Sequence, residues 1–386
     1  MTLADDYGYY KLGNIKTYSK YDVMVKTNDP YTVTWHYNDD FFSQFDWTKE
    51  PDESIETLYR KKAEQLRKDY DYIILMYSSG SDSDNILETF VRNDIKLDEV
   101  CSLVNLEGSG SKESFANREV YQIACPKIIN LNKKYGLNIK HRIFDITQKI
   151  INYYSNKKPL DFKWINTYGS VNCLSKYKLY DDIPEWKNIA KDGKKVCIIW
   201  GCDKPRLSVI EDRVYFYFSD VIDGAMCLKE QKEGFNESFH NDLFYWSPTI
   251  ESAKIIIKQS HLIKNYILNE DNRKYHKRDK NYNEIYIHMK KPIGCLGDND
   301  FKNIIYPWWE KTNDIHTKTK NGNFLSDRDD WFWQKYNDQS TENYLSDLTE
   351  FYKNIHTVWA ESYVDFEYEL YPKFIKRMNS KTYPLQ

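Results

Sequence analysis

Six consecutive residues, Ser78-Ser79-Gly80-Ser81-Asp82-Ser83, carry the most specific chemistry in this sequence. Small residues in a tight turn point successive backbone N–H groups to one side, and Gly80 permits close approach of a ligand. The serine hydroxyls add donors, so the group suits an anion and a phosphate above all. Upstream, Ile73-Ile74-Leu75-Met76-Tyr77 is an apolar run of strand formers, and downstream Ile86, Leu87 and Phe90 restart with helical spacing. A strand–turn–helix order brings the unpaired N–H groups and positive end of the helix to the turn. A serine-rich turn without a ligand would satisfy the same pattern.

The second segment is Trp200-Gly201-Cys202-Asp203-Lys204-Pro205-Arg206, directly after the apolar run Val196–Trp200. Gly201 allows a turn, Asp203 can ligate a hard cation, and Lys204 and Arg206 can neutralise a polyphosphate. A solvated surface turn is the alternative. Neither segment has the lysine of a Walker loop or the G-x-G-x-x-G of a dinucleotide fingerprint.

The first loop resembles the S-G-G-x-D-S pyrophosphate loop of the PP-loop ATP pyrophosphatases, which include asparagine synthetase and GMP synthetase. Ser78, Gly80, Asp82 and Ser83 carry the match, and Ser79 stands where the family has its first glycine. A hydroxymethyl group there crowds the phosphate or imposes a different loop conformation. The resemblance implies a reaction with ATP and Mg in which a substrate oxygen attacks the α-phosphate, pyrophosphate leaves, and a nucleophile completes an amidation or ligation. It implies that Ser78, Ser79, Gly80, Ser81, Asp82, Ser83 and Gly201 hold the nucleotide, and that Asp82 and Asp203 hold magnesium. Lys204 and Arg206 would take up the charge of the leaving pyrophosphate, with adenine near Val104 and Asn105. The acceptor substrate stays open. Residues 31–105 and the segments WGCDKPR, LFYWSP, KQSHLIK and IIYPWW also resemble bacteriophage proteins of the asparagine-synthase-like, adenine nucleotide alpha hydrolase-like kind. Ser79 supports a second expectation, a catalytically weakened nucleotide-binding module that engages nucleic acid or a protein partner.

These residues need a framework, and 386 residues suffice for about two domains. Strands are expected at Glu99–Asn105, Asn138–Asp145, Val196–Trp200 and Val214–Phe218, with helices at Ser54–Lys68, after the loop, and from Ser114 to Tyr135. This alternation predicts an α/β fold, a Rossmann-like parallel sheet with helices on both faces, in which ligands lie beyond the strand carboxyl ends. We divide the chain into an extension at 1–53, the nucleotide domain at 54–225 and a mainly helical, aromatic-rich domain at 226–386. Ala253–Leu268 and Leu345–Met378 are its expected helices.

With 55 Lys and Arg against 58 Asp and Glu, no global basic field points to nucleic acid. The basic run Arg273–Lys280 is the local candidate for such contact, or a solvated loop. Seven cysteines without a C-x-x-C spacing disfavour zinc and iron–sulfur sites and suit a reducing cytoplasm. The N-terminal residues lack a signal-peptide core, and no apolar run is long enough to span a membrane. Asn117, Arg118 and Glu119 either reach the same cleft or form an ordinary solvated helix face, the reading favoured by sequence. Phe244-Tyr245-Trp246, with Gln259 and His261, reads as aromatic core in preference to a substrate pocket.

Overall fold

The computed structural model describes residues 8–156, 179–201, 204–210, 213–220, 238–268, 284–285, 298–309, 330–335, 359–366, 369–375 and 378–385. Strands β1 (Tyr9–Leu12) and β2 (Ile15–Thr17) form a hairpin, followed by helix α1 (Lys20–Met24), strand β3 (Val33–His36) and helix α2 (Asp39–Phe42). The alternating Val33-Thr34-Trp35 buries Val33 and Trp35 and leaves Thr34 outside, and β3 pairs with β1. Helix α3 (Ile55–Asp69) begins at Ser54, whose hydroxyl accepts the Thr57 amide at 3.2 Å.

The α/β core then runs through β4 (Tyr72–Met76), α4 (Ser81–Arg92), β5 (Glu99–Val104), α5 (Leu106–Ser109), α6 (Cys125–Tyr135), β6 (Lys140–Asp145), α7 (Thr147–Asn156), α8 (Pro184–Lys191) and β7 (Val196–Trp200). A hairpin of β8 (Arg206–Ile210) and β9 (Arg213–Ser219) follows, then β10 (Phe239–Leu243) and the long α9 (Ile250–Leu268). The remaining described elements are β11 (Glu284–Ile285), α10 (Asp298–Ile305), α11 (Asp330–Lys335), β12 (Ala360–Phe366), β13 (Glu369–Ile375) and β14 (Asn379–Pro384).

Five strands in the order β10-β7-β4-β5-β6, every neighbouring pair parallel, make the central sheet flanked by helices. All of β7 and all but the first residue of β4 are buried, as strands covered on both faces must be. The chain steps outward from β4 to β5 to β6, then returns to the other side of β4 with β7 and β10. The strand order therefore reverses at β4 and β7, where parallel α/β sheets open a crevice at their carboxyl ends.

Several expectations change. Val214–Phe218 is a strand, but it lies in a separate sheet ordered β11-β8-β9-β14. Only residues 211 and 212 separate β8 from β9, too few for a parallel crossover and enough for an antiparallel hairpin. The fifth strand of the parallel sheet is β10, whose sequence FHNDL has too few apolar residues to announce itself. The helix expected from Ser114 starts at Arg118 and passes through a π-helical turn, Val120–Ala124, before α6 closes at Gly136 with φ of 65°. Within Leu345–Met378, Ala360–Phe366 and Glu369–Ile375 form the antiparallel strand pair β12–β13 instead of helix. Tyr363, Val364, Phe366, Tyr371 and Phe374 favour extended backbone, which outweighs the helical spacing of the stretch before them. Cys202, Asp203 and Arg273–Lys280 lie outside the described residues.

Aromatic packing joins the N-terminal strands to the second sheet. Trp47 stacks on Phe216 and on Tyr383, with ring centroids 4.7 and 4.4 Å away, and Tyr37 donates its hydroxyl to the Trp246 carbonyl at 2.7 Å. Each such buried ring contributes about 1.5–3 kcal/mol of burial energy. Beside them Lys20 and Asp220 make a buried ion pair at 2.6 Å, and Asp220 also accepts the Tyr10 hydroxyl at 2.7 Å and the Met378 amide at 3.0 Å. No helix among the described residues is long and apolar enough to cross a membrane.

Candidate functional site

Because β4 and β7 are parallel neighbours, the segments that leave them emerge on the same edge of the sheet. After β4 the chain pairs once more, Tyr77 N–H to the Cys101 carbonyl at 2.8 Å, and then turns. Ser79 takes a φ of 58°, the left-handed region that costs a residue bearing a β-carbon roughly 1–2 kcal/mol. Gly80 is the N-cap of α4 and supplies no side-chain cap. The first N–H groups of α4 thus have no intrahelical acceptor and no capping side chain.

The serine hydroxyls have distinct uses. Ser79 Oγ lies 2.6 Å from the Ser78 carbonyl and 3.2 Å from the Glu119 carbonyl, so its proton points into the protein. Ser83 Oγ donates to the Gly80 carbonyl at 3.2 Å and accepts the Ser78 amide at 3.4 Å, stapling the turn from within. Ser78 is exposed and Asp82 partly so, while Ser79, Gly80, Ser81 and Ser83 are buried.

Gly201, one residue beyond β7, packs against the first turn of α4. A β-carbon there would come 3.0 Å from Ser83 N and 3.1 Å from the Asp82 carbonyl carbon. Three residues on, Lys204 pairs with Asp82 Oδ2 at 3.0 Å, its side chain 9% exposed against 23% for the aspartate. Arg206 is buried at the first position of β8. Val104 is buried at the end of β5, and the Asn105 amide donates to Asn117 Oδ1 at 2.7 Å. Asn117 Nδ2 in turn donates to Ser109 Oγ and the Ser111 carbonyl, both at 2.7 Å, which fixes the loop after β5. Loop, Gly201, Lys204 and Asn105 are thus brought to one edge of the sheet.

Sequence reasoning missed the tyrosines. The Tyr306 hydroxyl donates to Asp82 Oδ1, and Tyr245 donates to the Asp82 carbonyl at 2.8 Å. Tyr59 donates to the Ile305 carbonyl and accepts Gln259 Nε2 at 2.7 Å. Burial pushes all three phenols well above the ordinary value of 10, so they stay protonated and act as donors. Phe244, Tyr245 and Trp246 are fully buried, and His261 bonds the Trp47 carbonyl at 2.9 Å, so that stretch is core. On the far side, Trp331 packs so closely on Gly108 that a β-carbon would collide with its ring. The aromatic segments around Tyr306 and Trp331 were visible in sequence as aromatic-rich, but nothing local shows that they come to this edge.

A buried charge network also sits behind the loop. Asp84 Oδ1 accepts the Tyr77 hydroxyl at 2.8 Å, and Lys127 bridges Asp84 at 2.7 Å and Glu88 at 2.8 Å. Burial raises the Asp84 carboxyl, against the pull of Lys127. For Glu88 burial acts the same way, but Lys127 and Arg92 overturn it and hold the group below its ordinary value. The network locks α4 to α6, fixing the direction in which α4 presents its first turn.

The set of donors fits a polyphosphate, with an uncapped helix start, a glycine-backed floor and Lys204 at hand. Asp82 is the partly exposed carboxylate suited to a hard cation, and both its oxygens already have partners in Lys204 and Tyr306. Among the described residues no group of three His, Cys, Asp or Glu side chains converges on a metal position. Compared with models of known families and with curated proteins, the chain matches none of them.

Proposed function

We propose that this protein binds ATP at the Ser78–Ser83 loop and uses it as a PP-loop ATP pyrophosphatase does, adenylating a substrate and releasing pyrophosphate to complete an amidation or ligation. The observation that carries the reading is the seating of Gly201 on the Asp82–Ser83 backbone at the point where the strand order reverses. Two segments more than a hundred residues apart in sequence would then line one polyphosphate site in a Rossmann-like core. In this reading the N–H groups of the α4 first turn and Ser78 hold the phosphates. Lys204 and Arg206 take up the charge that develops on the leaving pyrophosphate. Magnesium bound with the nucleotide supplies further charge neutralisation, held by Asp82 and, from outside the described residues, Asp203. Adenine would lie by Val104 and Asn105.

Incubation of the protein with α-labelled ATP and a metabolite extract tests the reaction. AMP and pyrophosphate are expected, and Asp82→Ala should abolish both. Formation of ADP and phosphate alone would overturn the assignment.

A second reading has its own observation: the Ser79 hydroxyl is spent on protein carbonyls, and its backbone is held where glycine is preferred. The site would then retain a nucleotide without turning it over. Tight ATP binding by the wild type without AMP formation supports this reading, turnover gained in Ser79→Gly would assign the loss to Ser79, and AMP formation by the wild type rejects it.

A further inference from the structure

Arg118 lies between two residues already tied to the site. On one side Asn117 clamps the backbone of Asn105, and on the other the Glu119 carbonyl receives the Ser79 hydroxyl. The guanidinium carbon of Arg118 sits 4.2 Å over the Phe115 ring, which orients the plane of the group. Its Nε and Nη2 atoms are both buried, and neither meets a hydrogen-bond partner among the described residues. Arg118 is partly exposed, but this edge of its side chain is not part of the solvated helix face favoured from the sequence.

The identity of the two atoms matters. Nε–H and Nη2–H share one edge of the guanidinium and point the same way, forming the fork that takes two oxygens of a carboxylate or phosphate. Buried polar atoms in folded proteins nearly always have partners, and a desolvated cationic edge without one is costly. An oxyanion seated on that edge would satisfy both donors at once.

We infer that the Nε–Nη2 edge of Arg118 is an oxyanion-binding fork that receives two oxygens of the nucleotide's polyphosphate. The inference rests on the nucleotide site proposed above and adds to Lys204 a second cation, from the start of the helix that follows β5 and leads into α6. Arg118 and Lys204 stand on different elements, one at the start of that helix and the other beyond β7, so the proposal has the polyphosphate held between them. Among the described residues no carboxylate reaches either atom.

Calorimetric titration of the full chain with ATP, inorganic pyrophosphate, adenosine and succinate separates the possibilities. Arg118→Gln should weaken ATP and pyrophosphate roughly ten- to hundredfold, the scale of a charge-assisted bidentate contact. Adenosine binding should stay unchanged. Arg118→Lys, which keeps the charge and loses the fork, should recover only part of the loss, and unchanged melting temperatures would show that both variants fold. Equal ATP and pyrophosphate affinity in wild type and Arg118→Gln overturns the inference and leaves the nucleotide site standing. Succinate binding lost in Arg118→Gln with pyrophosphate unaffected also overturns it, by assigning the fork to a carboxylate. Wild-type protein that binds neither ATP nor pyrophosphate removes the nucleotide site itself.

Discussion

Gly201 and Ser83 are in backbone contact: a β-carbon on residue 201 would lie 3.0 Å from the Ser83 amide nitrogen. The partner is the first turn of a helix and cannot swing aside like a side chain. Gly201→Ala is therefore expected to push the start of α4 by a few tenths of an ångström and to cost about 1–3 kcal/mol, the usual range for overpacking. Urea denaturation measures that cost. If the Ser83 amide helps to hold phosphate, ATP affinity falls in the same variant beyond what the stability loss explains.

Ser79 separates backbone from hydroxyl. Ser79→Gly relieves a left-handed residue of its β-carbon penalty, roughly 1–2 kcal/mol, but loses the contacts to Ser78 and Glu119, about 1 kcal/mol net, and adds unfolded-state entropy. These terms nearly cancel, so its stability should stay within about 1 kcal/mol of wild type. Ser79→Ala keeps the strained φ and loses the hydroxyl, and should be destabilised by about 1–2 kcal/mol. Chemical denaturation of both variants decides this: Ser79→Ala as stable as wild type would mean that the hydroxyl contributes nothing to the loop, and Ser79→Ala as stable as Ser79→Gly would mean that the β-carbon at this φ costs nothing.

The core of this fold was legible where local pattern and burial agree. The apolar runs at Tyr72–Met76 and Val196–Trp200 and the small-residue turn between Tyr77 and Ile86 announce themselves, because fully buried parallel strands carry no polar alternation. β10 was not legible, since an edge strand reading FHNDL draws its stability from pairing with β7 and not from its own composition. Tyr306 is the clearest loss at the site. It reaches Asp82 across more than two hundred residues of sequence, and no spacing rule relates the two. Lys62 falls on the apolar face of α3 by periodicity and is buried there as half of an ion pair, a partner that the spacing alone does not reveal.

That pair provides a stability test away from the loop. Lys62 Nζ lies 2.9 Å from Asp242 Oδ2, with side chains 0% and 9% exposed, and it also reaches Gln65 at 3.1 Å and Thr249 at 3.3 Å. Lys62→Ala strands the Asp242 charge at the edge strand β10 and should cost about 3–5 kcal/mol. Lys62→Met combined with Asp242→Leu removes both charges and fills the volume, and should restore most of the loss. Thermal and urea unfolding of the single and double variants measure the coupling. A single variant within about 1 kcal/mol of wild type would show that the aspartate is readily resolvated.

Acid sensitivity should be traceable in part to Glu53. Hydrogen bonds from Lys254 and then Lys61, with distances of 3.0 and 3.1 Å, hold its carboxyl down at about 2 from an ordinary value of 4.5. A carboxylate whose folded value is depressed contributes stability that is complete above the unfolded value. That contribution is lost as pH falls from near 4.5 through about 2. The unfolded chain binds the proton first in that window, so stability must rise with pH across it. Glu53→Gln should flatten this part of the stability profile and leave the slope above pH 5 unchanged. Because Glu53 joins α3 to α9 at a partly solvated position, the effect should also shrink in high salt. Urea unfolding midpoints collected across the acid range at low and high ionic strength test both statements, and an unaltered acid slope in the variant would assign the effect to other carboxylates.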